Sequence, residues 1–344
     1  MIKCQSLLYN KSVNCTKVCK TNATMMKTPI LLICFNRPNY VRKVVESISR
    51  AAPETLFVFQ DGARNESDLK KCVEVRRVIE NEINWSCDLH LFYSDKNLGC
   101  GPGPATAISW FFSFVDKGII LEDDAVPHPD FYPYASELLN RFNDDDSVFA
   151  IGSMNVDAHS WGNGSYYFSR MNRNLCAWAT WRRAWMKFDI QMKGISRNHL
   201  NHALKYYHCG LLEREYWCDR LVEVHKDGCR GMSWDMQFFM SIWINQGKGI
   251  IPNVNLSSNI GTVGEATHAM VAGNIIDNVP THSILPLIHP QKEDIQFEAD
   301  RQFHFLYFEP GKKNWSSLQI LYYFINKRIK RLLGHQGPWI KRKS

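Results

Sequence analysis

The chain has no run of eighteen apolar residues, so no transmembrane helix is expected. Its first 25 residues mix Lys, Asn, Thr and Cys and lack the apolar centre of a signal peptide. Residues 1–27 are therefore expected to form a disordered polar extension. The 11 cysteines include no C-x-x-C motif. An odd, scattered set reads as free thiols in a reducing compartment, which points to the cytoplasm. No G-x-G-x-x-G follows a strand. The glycine-rich stretch from Asn97 to Gly103 is interrupted by Pro102 and followed by Pro104, which argues against a nicotinamide-binding fold. There is no internal repeat and no low-complexity segment. From Gly311 to Ser344 there is no acidic residue, against nine Lys and Arg. That tail holds the whole net charge of +7, since the rest has 32 basic and 34 acidic residues. A nearly neutral body is not the footprint of a nucleic-acid binder, so no nucleic-acid partner is expected.

What is present has a clear period. Thr28 to Phe35 is a continuous apolar run, as in a strand buried on both faces. Asn36-Arg37-Pro38 breaks it, and Val41, Val44, Val45 and Ile48 follow at helical spacing. Thr55 to Phe59 reads as a second strand, ended by Gln60-Asp61-Gly62. A polar helix carries Val75, Val78 and Ile79 on one face, and Leu89, Leu91 and Tyr93 alternate in a third strand. After the glycine-rich loop come an apolar helix, Ala105 to Val115, and a fourth strand, Ile119 to Leu121. This alternation predicts an α/β fold with a mostly parallel central sheet flanked by helices. Asp130 to Phe142 and Trp234 to Trp243 read as helices; Val148 to Ile151 and Gly249 to Val254 read as strands. One domain is expected over residues 28–290, with a basic tail, 291–344, carrying an amphipathic helix.

In parallel sheets, ligands bind beyond the carboxyl ends of the strands. The strand ends here supply the donor-binding candidates: Asn36 and Arg37, Asp61, Asn97 and Gly99, and Glu122 and Asp123. Gly118-Ile119-Ile120-Leu121 runs straight into Glu122-Asp123-Asp124. Carboxylates crowded at a strand end repel one another unless a cation sits among them. Hard oxygen ligands suit Mg²⁺ or Mn²⁺, which also grip diphosphates. A solvated acidic turn is the ordinary alternative. Asp235 is either a helix cap or a general base, with Trp234 offering a flat face to a sugar. His268, after a glycine-bearing polar loop, is a further candidate metal ligand. Trp178, Trp181 and Trp185 fall at i, i+3 and i+7, one face of an expected helix packed into the core. Beside them, Arg182 and Arg183 either reach a diphosphate or lie solvated.

In this order the motifs resemble the GT-A-fold nucleotide-sugar glycosyltransferases. More narrowly, the chain is similar to the N-acetylglucosaminyltransferase I group and its bacterial family 2-type relatives. The resemblance covers about residues 28–270. It rests on Pro29 with Asn36-Arg37-Pro38, Gln60-Asp61-Gly62, Asn97-Leu98-Gly99, Leu121-Glu122-Asp123-Asp124 with Pro129-Asp130-Phe131, and Trp234-Asp235. It implies a D-x-D metal motif whose last residue, Asp124, ligates Mn²⁺. Glu122 and Asp123 would contact the ribose or the metal's waters, Asp61 would lie beside uracil, and Asp235 would be the catalytic base. Met236 stands where the family has a second acidic residue, which puts the acceptor contacts in question.

The expectation is a metal-dependent inverting glycosyltransferase, using a nucleotide-sugar donor, most simply a UDP-sugar, and a surface-glycan or lipid-linked acceptor. A sugar nucleotidyltransferase would want a Gly-rich loop with Lys and Arg after the first strand, where this chain has only Asn36-Arg37-Pro38. A sugar-binding or membrane-acting protein with a vestigial site is the non-enzymatic rival. Leu318, Leu321, Tyr322, Ile325, Ile329 and Leu332 share a helical face among Lys327, Arg328, Lys330 and Arg331, a pattern of helices that lie on anionic membranes or pack on their own domain.

Overall fold

Uninterrupted apolar runs become central strands because both of their faces are covered. The structure of the protein, a computed structural model, describes residues 11–15, 25–157, 159–171, 173, 177–227, 234–261 and 275–332. Strand β1 spans Lys11–Cys15 and β2 spans Ile30–Cys34. Helix α1, Pro38–Ala51, opens on a proline whose fixed φ suits the first turn. There follow β3 Thr55–Gln60, α2 Glu66–Glu82, β4 Cys87–Tyr93, α3 Pro102–Phe111, β5 Lys117–Glu122, β6 Ala125–Pro127 and α4 Phe131–Arg141. The second half holds β7 Val148–Gly152, β8 Tyr166–Ser169, β9 Ala177–Trp181, α5 Arg182–Trp185, α6 Arg197–Tyr206, α7 Leu211–Asp227, α8 Asp235–Ile244, β10 Lys248–Pro252 and β11 Ser257–Asn259. Helices α9, Phe297–Phe303, and α10, Ser317–Leu332, complete it.

The main sheet has the order β1-β4-β3-β2-β5-β9-β7-β10-β8. β2, β3, β4, β5, β7 and β10 run one way, and β1, β8 and β9 the other. The chain is thus α/β with a mostly parallel sheet flanked by helices, as its alternating pattern requires. One face packs α1, α2 and α4 against Leu32, Val58, Leu121 and Ile151. The other packs α3 and α8 against Leu31, Phe57, Phe59 and Ile120. Helices α6 to α9 enclose a third core around Trp217, Phe239, Trp243 and Phe303.

The structure departs from the sequence expectations at several places. Within the polar extension, β1 pairs antiparallel with the edge of β4. Trp178, Trp181 and Trp185 do not share a helix, because Ala177–Trp181 is a strand and only Arg182–Trp185 turns. In a strand, residues three apart point to opposite faces, so Trp178 and Trp181 fill different cores. The segment after residue 290 is not all tail. Ala299, Asp300, Phe303 and His304 are buried, and Asp300 accepts hydrogen bonds from Ser169 Oγ and from the Arg170 N–H, the latter at 2.8 Å.

Candidate functional site

Strand register brings the motifs to one edge. Cys34 lies opposite Gln60, Gln60 opposite Tyr93, and Ile33 opposite Glu122. The residues following β2, β3, β4 and β5 therefore leave the sheet together. Asp235 joins them from the first turn of α8, close enough to Glu122 for its charge to act on that carboxyl.

The acidic turn is organised by one arginine. Arg37, just before α1, pairs with Asp123 and with Asp124 at 3.1 Å. The buried Asp123 carboxylate also accepts the Phe35 N–H at 3.2 Å. Its two oxygens are thus committed to Phe35 and Arg37. This makes Asp123 the anchor of Arg37. Asp124 shares Arg37 with Asp123, and Gly261 lies directly against its carboxylate: a methyl there would overlap Asp124 Oδ2. The Ile260 N–H also donates to the Asp124 carbonyl at 3.0 Å. Gly261 is a site residue that the sequence did not single out; a glycine in a polar loop was its only signal.

Glu122 ends β5 and faces this cluster. Its carboxyl is pushed up to about 8, first by burial and then by Asp124, Asp123 and Asp235. Arg37 pairs with Asp123 and Asp124 only, while Glu122 feels the charges of Asp123, Asp124 and Asp235, so the cluster favours a further positive charge. Hard, anionic oxygens at such a place fit a divalent cation such as Mn²⁺ or Mg²⁺. Among the described residues, no three His, Cys, Asp or Glu side chains close around one point as a finished shell. His268 lies outside the described residues.

Asp61 takes a different role from the one expected. Its Oδ1 accepts the N–H groups of Gly62 and Leu98 at 2.9 and 2.8 Å. Its Oδ2 accepts the Gly99 N–H at 3.0 Å and Asn97 Nδ2 at 3.1 Å. Those bonds use the lone pairs a carboxylate offers, leaving none for a uracil or ribose. Asp61 instead ties the loop after β4 to the end of β3. Gly62 allows this, since a Cβ there would strike the Lys96 backbone, and Gly99 adopts φ +80°. Asn97 and Gly99 are thereby held at the cleft's edge. Asn36 turns to α2, donating to Asp68 at 2.6 Å.

Trp234 is not a sugar platform. It is 3% exposed and stacked on Trp178, with centroids 5.4 Å apart. It sets the start of α8 and hence the position of Asp235, whose Oδ1 accepts the Met236 N–H at 2.9 Å. Asp235 is the first helical residue and not the cap. Arg182 and Arg183 do not reach the cleft. Arg183 donates to the carbonyls of Phe142, Asn143 and Val148, and Arg182 to that of Val115. Asp130 accepts from Ser283 Oγ and the Ile284 N–H, at 2.5 and 3.0 Å, and holds the segment after β11 in place.

The site is thus an acidic cluster at the carboxyl edge of a parallel sheet, where α/β proteins bind their ligands. No protein-family model and no curated protein sequence matches the chain. Among solved structures, a UDP-glucose pyrophosphorylase complexed with UDP-glucose is similar at 8% identity and a TM-score of 0.36, over 66% of this chain and 90% of that one. A likeness that loose leaves the functional reading to the chemistry of the cleft.

Proposed function

We propose that the protein is a nucleotide-sugar glycosyltransferase of the GT-A type. It would move a sugar from a nucleoside-diphosphate donor, a UDP-sugar in our reading, to a hydroxyl of a glycan or lipid-linked acceptor. The observation that carries this is the acidic turn Glu122, Asp123 and Asp124 at the end of β5, with Arg37 paired to Asp123 and Asp124 and with Asp235 of α8 near enough to act on Glu122. The narrower likeness to the N-acetylglucosaminyltransferase I group rests on the sequence motifs alone.

Each residue then has a task. Arg37 holds Asp123, which fixes the turn and aims Asp124 into the cleft. Asp124, with Glu122 beside it, would hold Mn²⁺ or Mg²⁺ together with diphosphate oxygens and water. When bound, that cation supplies charge neutralisation for the departing diphosphate. Asp235 takes the proton of the acceptor hydroxyl as its oxygen bonds to the sugar's anomeric carbon. The bond from that carbon to the diphosphate breaks, and the nucleoside diphosphate leaves. Attack from the opposite side inverts the anomeric centre, through an oxocarbenium-like transition state. The loop of Asn97 and Gly99, fixed by Asp61, would border the nucleotide. Cys34, Cys72, Cys209 and Cys218 are free thiols, as a cytoplasmic enzyme's would be.

Analysis of the released nucleotide tests the reading. With UDP-sugar, a divalent cation and glycan acceptors, it expects UDP and a glycosylated product. Formation of UTP and sugar 1-phosphate on addition of inorganic diphosphate would instead identify a nucleotidyltransferase. No turnover with any donor would favour a binding protein.

A further inference from the structure

Helix α10 carries a second apolar stripe on the side away from its own domain. Lys327 pairs with Glu215 at 2.8 Å and with Asp219, both on α7. Arg197 of α6 bonds the same two carboxylates at 2.5 and 3.0 Å. The ring of Tyr323 sits between Lys312, at 4.2 Å, and Lys327, at 5.4 Å. These contacts fix the rotation of the helix, with Ile320, Tyr323, Phe324 and Lys327 toward the body and partly buried. The opposite stripe is Leu318, Leu321, Tyr322, Ile325, Ile329 and Leu332, each 46–79% exposed. Such a contiguous apolar face marks an interaction surface.

The charge around this stripe selects its occupant. Lys313 and Arg328 are exposed beside it. In the sequence, Lys330, Arg331, Lys341, Arg342 and Lys343 come later in the chain, with no acidic residue from Gly311 onward. An apolar stripe flanked by cations of one sign complements anionic lipid headgroups over acyl chains. No helix of the described residues is long and apolar enough to cross a membrane. We propose that α10 lies flat on an anionic bilayer, its Leu and Ile stripe in the interface, and that the Lys327–Glu215–Asp219 network clamps the catalytic body onto it. An enzyme so held would meet a lipid-linked acceptor at the surface that carries it.

Co-sedimentation of the full chain with vesicles tests this, with no donor present, so the outcome is independent of the transferase reading. Phosphatidylcholine vesicles are compared with phosphatidylcholine–phosphatidylglycerol vesicles. The protein is expected to bind only the anionic ones, more weakly as salt rises. The double variant Leu321→Glu, Ile325→Glu alters solvent-facing positions and should keep the wild-type melting temperature. It should bind at least about tenfold more weakly. Failure to bind anionic vesicles, equal binding to neutral ones, or undiminished binding by the double variant would overturn the proposal. So would a dimer in sedimentation velocity that the double variant converts to monomer, because the stripe would then be a self-association face.

Discussion

Replacing Glu122 by glutamine keeps the shape of the side chain and removes its charge, so it isolates the electrostatic load of the acidic cluster. The ordinary value for this carboxyl is 4.5, and in the folded protein it is pushed up to about 8. Between those values the native state keeps a proton that the unfolded chain has released. Unfolding therefore releases a proton, and stability falls as pH rises through that window. For one group the slope cannot exceed about 1.4 kcal/mol per pH unit. Burial raises the neighbouring Asp123 carboxyl as well, and solvent reaches part of the Glu122 side chain, so a total of about 2 kcal/mol between about pH 5 and about pH 8 is expected. Urea denaturation of both proteins across that range reads it directly. Glu122→Gln should match the wild type near the acid end and exceed it by the full amount near the alkaline end. A difference that stays constant with pH, or a variant that is less stable at the alkaline end, would refute the clustering of these carboxylates.

Asp61→Ala removes the acceptor of four hydrogen bonds; urea denaturation should show a loss of about 3 kcal/mol, and proteolysis should begin near Asn97. Asp235→Asn should lower kcat by about 10²- to 10⁴-fold in a transfer assay while donor affinity, read by calorimetry, is unchanged. Gly261→Ala should push Asp124 aside and weaken cation-dependent donor binding in the same calorimeter, with the circular dichroism spectrum retained.

The alternating half of the fold was legible because its signals are local. Ile30 to Cys34 is apolar throughout, and Val41, Val44, Val45 and Ile48 keep helical spacing, so burial on both sheet faces follows from composition. Trp178 and Trp181 were misread for the complementary reason. A strand buried on both faces has no period, and a helical turn directly after it supplied a false one. Asp61 was legible as a strand-end residue, but its partners lie about a third of a hundred residues on, at Asn97 to Gly99, and no local pattern announces that return. Trp234 was placed at the site because it precedes Asp235; only the packing of Trp178 from another strand shows its ring to be core. The acidic turn was readable as a cluster, yet Arg37 as its organiser depends on β2 and β5 being sheet neighbours. Residues 297–309 read as tail because Asp300 is held by Ser169 and Arg170, which are remote in sequence.

The central claim is that the cleft binds a nucleotide-sugar through a cation at Asp124. The most direct measurement is the thermal shift of the purified protein with UDP, GDP, CMP and dTDP and their sugars, each with and without Mn²⁺. A ligand that binds only the native state raises the melting temperature by mass action. The account predicts a rise with one nucleotide class, dependent on Mn²⁺ and abolished by Asp124→Ala. No rise with any nucleotide, or a rise that Asp124→Ala leaves intact, would contradict it.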